Sequence, residues 1–410
     1  MYDTSLNRFV ELENKIDNVK QDRDRYFVLH PRATEKDKNE EISVLADAIY
    51  NEAISLDDTT GMKYLIGGMA LNLTQQYDHR CEEALSSSVR LLPSDPRAWN
   101  ELGQCISKRG DDASLVRSLL TSSLSLSRSP QTLALLSISI RATLSSLSPD
   151  EAVIARTQSL ALARESVELD ECCGEGWMSL ANALLSAFFF DGQKNSMALD
   201  ESIDAYEKAL NRGVEQSDLH LNLSTALRYQ CHLEKSLAHL EKAYASERSN
   251  EIIDQLVEFQ SILKRMDEWI DEAEEGTIHS HLNPTAPVTG TIIKVCSPPS
   301  FTPSLLLLSS STSTSSPSSP SSPSSPSSSS PIIVALLNCS SSLSLLVGDS
   351  ISIPSYQLLQ YSSLPLLRVT SPSTLLRNGR SLRDSSFAMA SVSIQSPALP
   401  FSRPLPSSSS

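Results

Sequence analysis

The stretch DLHLNLSTALRYQCHLEKSLAHLEKA, Asp218 to Ala243, decides the fold. Its landmarks Leu223, Ser224, Leu227, Cys231, Ser236, Leu240 and Ala243 succeed one another at gaps of 1, 3, 4, 5, 4 and 3 residues. Gaps of three and four keep residues on one face of a helix, and the wider step after Cys231 divides the run into two helices. A large residue beside a small one on the first helix, answered by a small one on the second, lets two backbones cross closely. Ser224, Cys231 and Ser236 fill the small positions, and none is glycine.

The same phase extends in both directions. Met62 to Pro93 carries Ile66-Gly67 as its large-small pair, with Cys81, Leu85 and Ser88 on the second helix. Gly67 to Cys81 spans 14 residues, which predicts a lengthened turn. Trp99 to Ser127 has Trp99, Leu102, Gly103 and Ile106, then Gly110 for its turn. Leu133 to Asp170 repeats the pattern with Leu136, Ser137 and Ile140. Trp177, Leu180, Ala181 and Leu184 open a further unit, whose second helix ESIDAYEKAL closes on Ala209. Five units in one phase resemble the tetratricopeptide repeat (TPR) family, and the W-x-x-L-G-x-x-I run at Trp99 is the most literal match. The resemblance implies an all-α, right-handed superhelical solenoid in which each unit buries its apolar face against its neighbours. Residues 1–60 read as capping helices with a partial first repeat: Phe9, Val10, Leu12, Ile16 and Val19 precede His30-Pro31, and a second helix covers Glu40 to Leu56. Glu251 to Glu275 closes the array of 61–275 with Ile252, Leu256, Phe259, Ile262 and Leu263 on one side.

After Gly276 the composition changes. Residues 276–290 read as a linker, and Pro287 to Val295 alternates as a β-branched strand around Gly290. Ser309 to Ser330 is a Ser/Pro tract too poor in apolar surface to offset its ordering entropy, and disorder is expected there. Strand signals resume at Ile332 to Leu337, Leu345 to Ile353 and Leu366 to Thr370, and Asn378-Gly379 marks a hairpin turn. A small all-β barrel over 291–382, interrupted by 309–330 and followed by a disordered tail at 383–410, is the expectation.

Charge divides the chain at the same place. Residues 276–410 hold six Lys/Arg and two acids, +4, which leaves −19 for residues 1–275 out of a total of −15. So acidic a body argues against sequence-independent attraction to nucleic acid, which needs clustered cations facing the phosphates. The seven cysteines show no C-x-x-C spacing and read as reduced core thiols. No secretory signal and no long uninterrupted apolar run is visible, so no membrane contact is expected. The cytoplasm, and also the nucleus, are the expected compartments.

A more specific resemblance rests on pieces in order: RCEEALSSSVRL (Arg80 to Leu91), AWNELG (Ala98 to Gly103), LSAFFFDGQ (Leu185 to Gln193), DLHLNLSTA (Asp218 to Ala226), LLVGDSISIP (Leu345 to Pro354) and RVTSPSTLLRNGR (Arg368 to Arg380). These are similar to a family of adaptors in which a TPR array precedes an oligonucleotide/oligosaccharide-binding (OB) barrel. The resemblance implies recognition, at the ribosome exit, of the nascent tubulin N-terminus Met-Arg-Glu-[Ile/Cys], leading to tubulin mRNA decay. It also implies a nuclear role as a stress-responsive cofactor of a histone acetyltransferase.

First helices of stacked units face the concave groove, where Asn100, Gln104, Arg141, Asn182, Asp218, Asn222 and Arg228 present polar groups. Arg141 suits a ligand glutamate, Asp218 with Glu258 a ligand arginine, and Asn182 and Asn222 a peptide backbone. By the resemblance, Arg141, Asp218 and Glu258 hold peptide-contacting positions. One departure concerns the ribosome. The family has lysines after the last repeat helix, whereas Asp267 to Glu275 reads DEWIDEAEE. Lys264, Arg265, Arg377, Arg380 and Arg383 would have to replace them.

No phosphate loop, dinucleotide fingerprint or H-E-x-x-H occurs, so no enzymatic activity, cofactor or metal is expected. His279 and His281 read as linker residues. Phe188 to Phe190 reads either as an exposed anchor or as core. In the barrel, Tyr356 and Tyr361 are the pair on which a single strand of nucleic acid would stack.

Overall fold

The computed structural model describes residues 2–193, 195–274, 287–297, 303–310, 330–337, 345–361, 364–369 and 374–381. Among them lie fourteen α-helices: α1 (Tyr2–Asp24), α2 (Tyr26–Leu29), α3 (Glu35–Ile54), α4 (Met62–Leu71), α5 (His79–Leu91), α6 (Pro96–Arg109), α7 (Ala113–Leu126), α8 (Pro130–Arg141), α9 (Pro149–Leu169), α10 (Gly174–Phe190), α11 (Ser196–Leu210), α12 (Ser217–Tyr229), α13 (Leu233–Ser246) and α14 (Asn250–Glu274). Their starts are written locally. The side chains of Asp78, Asp95, Asp112, Ser129 and Ser148 accept backbone N–H groups at the head of α5 to α9, and proline opens α6, α8 and α9. Gly110 ends α6 at φ +77°, and Cys231 takes the equivalent turn between α12 and α13 at φ +63°.

The helices form a TPR solenoid, with α4/α5, α6/α7, α8/α9, α10/α11 and α12/α13 as successive pairs. A single contact recurs inside them. A small side chain on the second helix donates to a backbone carbonyl of the first: Cys81 Sγ to Gly68 (3.3 Å), Ser159 Oγ to Ser137 (3.0 Å), Ser202 Oγ to Ala181 (3.0 Å) and Ser236 Oγ to Ser224 (2.7 Å). The first unit corrects the register read from sequence. Its close-packed glycine is Gly68, not Gly67, because a Cβ on Gly68 would lie 2.4 Å from Leu85 Cγ. Gly68 stands to Leu85 as Gly103 stands to Leu120, 17 residues on in both cases, so no lengthened turn is needed relative to the next unit.

The superhelix comes round on itself. Arg248 donates to the Ala33 carbonyl (3.1 Å), Lys38 donates to the Ser246 carbonyl (3.4 Å), and both cations flank the Phe27 ring at 4.8 and 5.1 Å. Residues more than 200 positions apart are thereby joined. The question posed by Phe188 to Phe190 resolves into both readings. Phe188 and Phe189 are buried edge-on against Tyr229, whereas Phe190 is exposed beneath the Arg156 guanidinium.

The C-terminal region is a mixed sheet of eight described strands: β1 (Val288–Val295), β2 (Ser304–Ser310), β3 (Ser330–Leu336), β4 (Ser350–Ile353), β5 (Gln357–Tyr361), β6 (Leu364–Val369), β7 (Leu376–Arg377) and β8 (Arg380–Ser381), in the order β5-β6-β3-β2-β1-β4-β7-β8. Among these strands only β3 and β6 pair in parallel. The sheet reaches into two stretches to which composition assigns other roles. Val288 to Gly290, expected as linker, pair with β4, and Ser309, Ser310 and Ser330, expected as disordered, pair across β2 and β3. The rest of the Ser/Pro tract and the tail 383–410 lie outside the described residues. The Asn378-Gly379 hairpin forms as expected, with both residues at positive φ. β4 pairs with β1 and β5 with β6, and only Pro354 to Tyr356 separates them.

The sheet packs on the end of the array. Cys296, Leu305, Leu307, Ile333, Ala335, Tyr361 and Leu366 share one core with Leu240, Ile252, Phe259 and Leu263 of α13 and α14. Tyr361 is buried there, its hydroxyl donating to Asp267 at 3.1 Å. That corrects its reading as a stacking platform, since a ring committed to α14 offers no free face to a base.

Gly68→Val should destabilise the protein by about 1–3 kcal/mol, read as a lowered denaturant midpoint, because the added branches meet Leu85. A second outcome concerns pH. His220 and His239 face each other with Nδ1 atoms 3.0 Å apart. Burial first, then His239 and Lys242, holds His220 down to about 4. A neutral imidazole in the fold that is protonated when unfolded means stability is lost as pH falls from about 6.5 toward 4. A pH series of thermal melts should show that loss, and His220→Asn should reduce it while His239, also held down to about 4 by burial, keeps its own share.

Candidate functional site: a buried polar cluster in the concave groove

Arg141 ends α8, four residues after the small residue Ser137, so its side chain returns over the α8/α9 crossing. Ser137 Oγ and Ser159 Oγ each donate to the other's backbone carbonyl, and Arg141 Nη1 donates to both hydroxyls at 2.6 and 2.8 Å. Nη2 reaches Ser179 Oγ at 3.5 Å. Among the described residues Nε has no partner and no carboxylate is paired with this guanidinium, although Arg141 is only 7 % exposed. Burial without a counter-charge pushes it down to about 10, with only the Tyr206 phenol acting the other way.

Tyr206 of α11 is the hub that sequence did not show. Its ring is fully buried, and its hydroxyl donates to Asn182 Oδ1 at 2.5 Å. Asn222 Nδ2 donates to the same oxygen at 3.0 Å. Burial raises the phenol well above its ordinary range, Arg141 opposes that rise, and Asp218 adds to it. Asn182 on α10 and Asn222 on α12 are thus linked to this hydroxyl by hydrogen bonds, whereas Arg141 on α8 and Asp218 on α12 act on it through their charge. Asn182 Nδ2 is buried with no partner among the described residues, which costs about 1–3 kcal/mol.

Glu258 has no hydrogen bond to this cluster among the described residues. It is exposed on α14 and acts on Arg228, whose guanidinium burial pushes down and whose charge Tyr229 and Glu258 favour. Asn100 donates to Thr132 Oγ1 at 2.8 Å, a bond between neighbouring first helices. Tyr206 escapes a reading of the sequence because a second-helix ring registers as packing. Ser137 and Ser159 escape it because a small residue at a crossing says nothing of where its hydroxyl points.

No protein-family model matches the chain. Three curated relatives do, all of one name. The human one is 28 % identical over 289 residues, 68 % of this chain and 64 % of the relative. The mouse one is 26 % identical over 423 aligned positions, 93 % of this chain and 95 % of the relative. The bovine one is 28 % identical over 60 % of its own length, so the human and bovine matches span less than two thirds of those proteins. The chain resembles tetratricopeptide repeat protein 5. Among solved structures, TTC0263, a thermophilic TPR protein of Thermus thermophilus, superposes with a TM-score of 0.38 at 12 % identity, over 54 % of this chain and 98 % of its own. YrrB, also a TPR protein, superposes with a TM-score of 0.31 at 15 % identity, over 50 % of this chain and 94 % of its own. Among the described residues no group of three or more metal-ligating side chains is assembled, and no helix is long and apolar enough to cross a membrane.

A desolvated cation held only by hydroxyls is a stability cost kept in the groove. Arg141→Met should therefore raise the melting temperature, by the equivalent of about 1–4 kcal/mol, as replacing buried charge with apolar volume can do. Differential scanning calorimetry of the two proteins checks the sign.

Proposed function

We propose that this protein is a TPR adaptor whose concave groove binds a short peptide, the nascent N-terminus of tubulin at the ribosome exit, and so triggers decay of tubulin mRNA. The observation that carries the peptide reading is the Arg141 guanidinium, buried without a carboxylate among the described residues, together with Asn182 Nδ2, buried without an acceptor among them. A ligand glutamate supplies the missing charge to Arg141 through a charge-assisted hydrogen bond. A peptide carbonyl supplies the acceptor for Asn182. Asp218 and Glu258 take the ligand arginine, from the Tyr206 side and the Arg228 side of the groove. Similarity to tetratricopeptide repeat protein 5 over most of the chain supports the choice of tubulin.

Work at the ribosome is cytoplasmic work. The ribosome contact has to avoid the acids at the end of α14. Lys264 lies 3.9 Å from Glu268 and Arg377 is paired with Asp349 at 2.7 Å, which leaves Arg265 and Arg380 as the better cations among the described residues. Arg383 lies outside them.

Calorimetry with a Met-Arg-Glu-Ile peptide tests the groove. Wild type should bind, and Asp218→Arg should weaken binding at least tenfold while leaving the fold intact. No binding to wild type, or indifference to Asp218→Arg, would sink the reading. Sedimentation with translating ribosomes that depends on tubulin synthesis tests the cellular role, and accumulation in the nucleus alone would favour the histone acetyltransferase scaffold instead.

A further inference from the structure

The Asn182 amide is gripped by its oxygen. Oδ1 accepts from two donors, the Tyr206 hydroxyl at 2.5 Å and Asn222 Nδ2 at 3.0 Å. With Asn222 presenting its NH2 here, an amide turned the other way would set two NH2 groups against each other, so this arrangement keeps the Asn182 oxygen toward Tyr206 and Asn222. Nδ2 is thereby held on α10, in a side chain with no exposed surface and with no acceptor among the described residues.

We propose that Tyr206 is a positioning residue for peptide-backbone recognition: its hydroxyl orients Asn182 so that Nδ2 is presented to a main-chain carbonyl oxygen of an extended peptide in the groove. The inference rests on the peptide-binding reading above, and it adds the residue that holds Asn182 in the orientation which that reading needs. Tyr206 does not touch the peptide. Its ring occupies the apolar slot of α11 in the same core as Leu184, Leu199 and Leu223, where a phenylalanine would pack equally well. Only the hydroxyl carries the second role, and removing it leaves Asn182 free to turn its nitrogen toward the vacated space.

The experiment uses the full chain, a Met-Arg-Glu-Ile peptide and calorimetry, on wild type, Tyr206→Phe, Asn182→Ala and the double variant. Tyr206→Phe should melt near wild type yet bind the peptide about tenfold more weakly. Asn182→Ala should lose at least as much, and the double variant should bind no more weakly than Asn182→Ala alone. A second readout separates orientation from packing. Peptides carrying an ester in place of each backbone amide in turn weaken one carbonyl acceptor at a time. One ester position should be penalised on wild type, and that penalty should vanish in Asn182→Ala and shrink in Tyr206→Phe. Wild-type binding that Tyr206→Phe leaves unchanged overturns the proposal, as do additive losses in the double variant with identical ester penalties throughout. Failure of wild type itself to bind removes the peptide reading, which is a different result from a binding groove indifferent to Tyr206. Should Tyr206→Phe not fold, Asn222→Ala removes the other donor to the same oxygen and has to reproduce the ester pattern.

Discussion

Everything in the array depends on how closely two helices of a pair can cross. At the crossing a glycine, alanine or serine on the first helix meets a cysteine or serine on the second. The backbones then approach until the second side chain reaches the first helix's carbonyl: Cys81 to Gly68, Ser159 to Ser137, Ser202 to Ala181, Ser236 to Ser224. A larger residue at either place would hold the helices apart, and Leu85, Leu120 and their equivalents would lose the neighbours that bury them. Each of these contacts contributes on the order of 1 kcal/mol as a hydrogen bond. Its larger effect is geometric, since the crossing sets the angle at which each pair meets the next.

That geometry also creates the site. Stacking first helices brings α8, α10 and α12 side by side, so that Arg141, one turn beyond its crossing, reaches Ser179 of α10, and Asn182 of α10 meets Asn222 of α12. Arg141 is attached to the Ser137/Ser159 crossing itself, so the bond that closes a repeat also holds the guanidinium in place. Under the proposed function, stability and recognition pull in opposite directions on these atoms, since a buried cation without a carboxylate and an Nδ2 without an acceptor are costs that a ligand offsets.

The end of the array is committed differently. α14 presents an apolar side to the sheet, and Tyr361 ties β5 to Asp267, so the sheet extends the solenoid's core rather than standing apart. At the other end Phe27, between Lys38 and Arg248, joins the first helices to the last repeat. A chain that meets itself in this way limits how far the groove can flex, because opening it would expose that ring and pull both cations away from their carbonyl acceptors.

Local chemistry alone determined a good deal of this protein. Period and turn residues marked the helix pairs, the strands β1, β3, β4 and β6 and the Asn378-Gly379 hairpin, because each depends on residues within a few positions of one another, whereas β2 and β5 were not marked. Repeat phase also picked out Arg141, Asn182, Asp218 and Asn222 as candidates for the groove, but not that Arg141, Asn182 and Asn222 are buried. Register at Gly68 rather than Gly67 was not legible, since two adjacent glycines look alike until Leu85 arrives from another helix. Tyr361 could not be told from a stacking platform until α14 covered it, nor Tyr206 from core until Asn182 and Asn222 met at its hydroxyl. Which atoms a buried polar group faces is decided by helices that are remote in sequence. Only the tertiary structure brings those helices together.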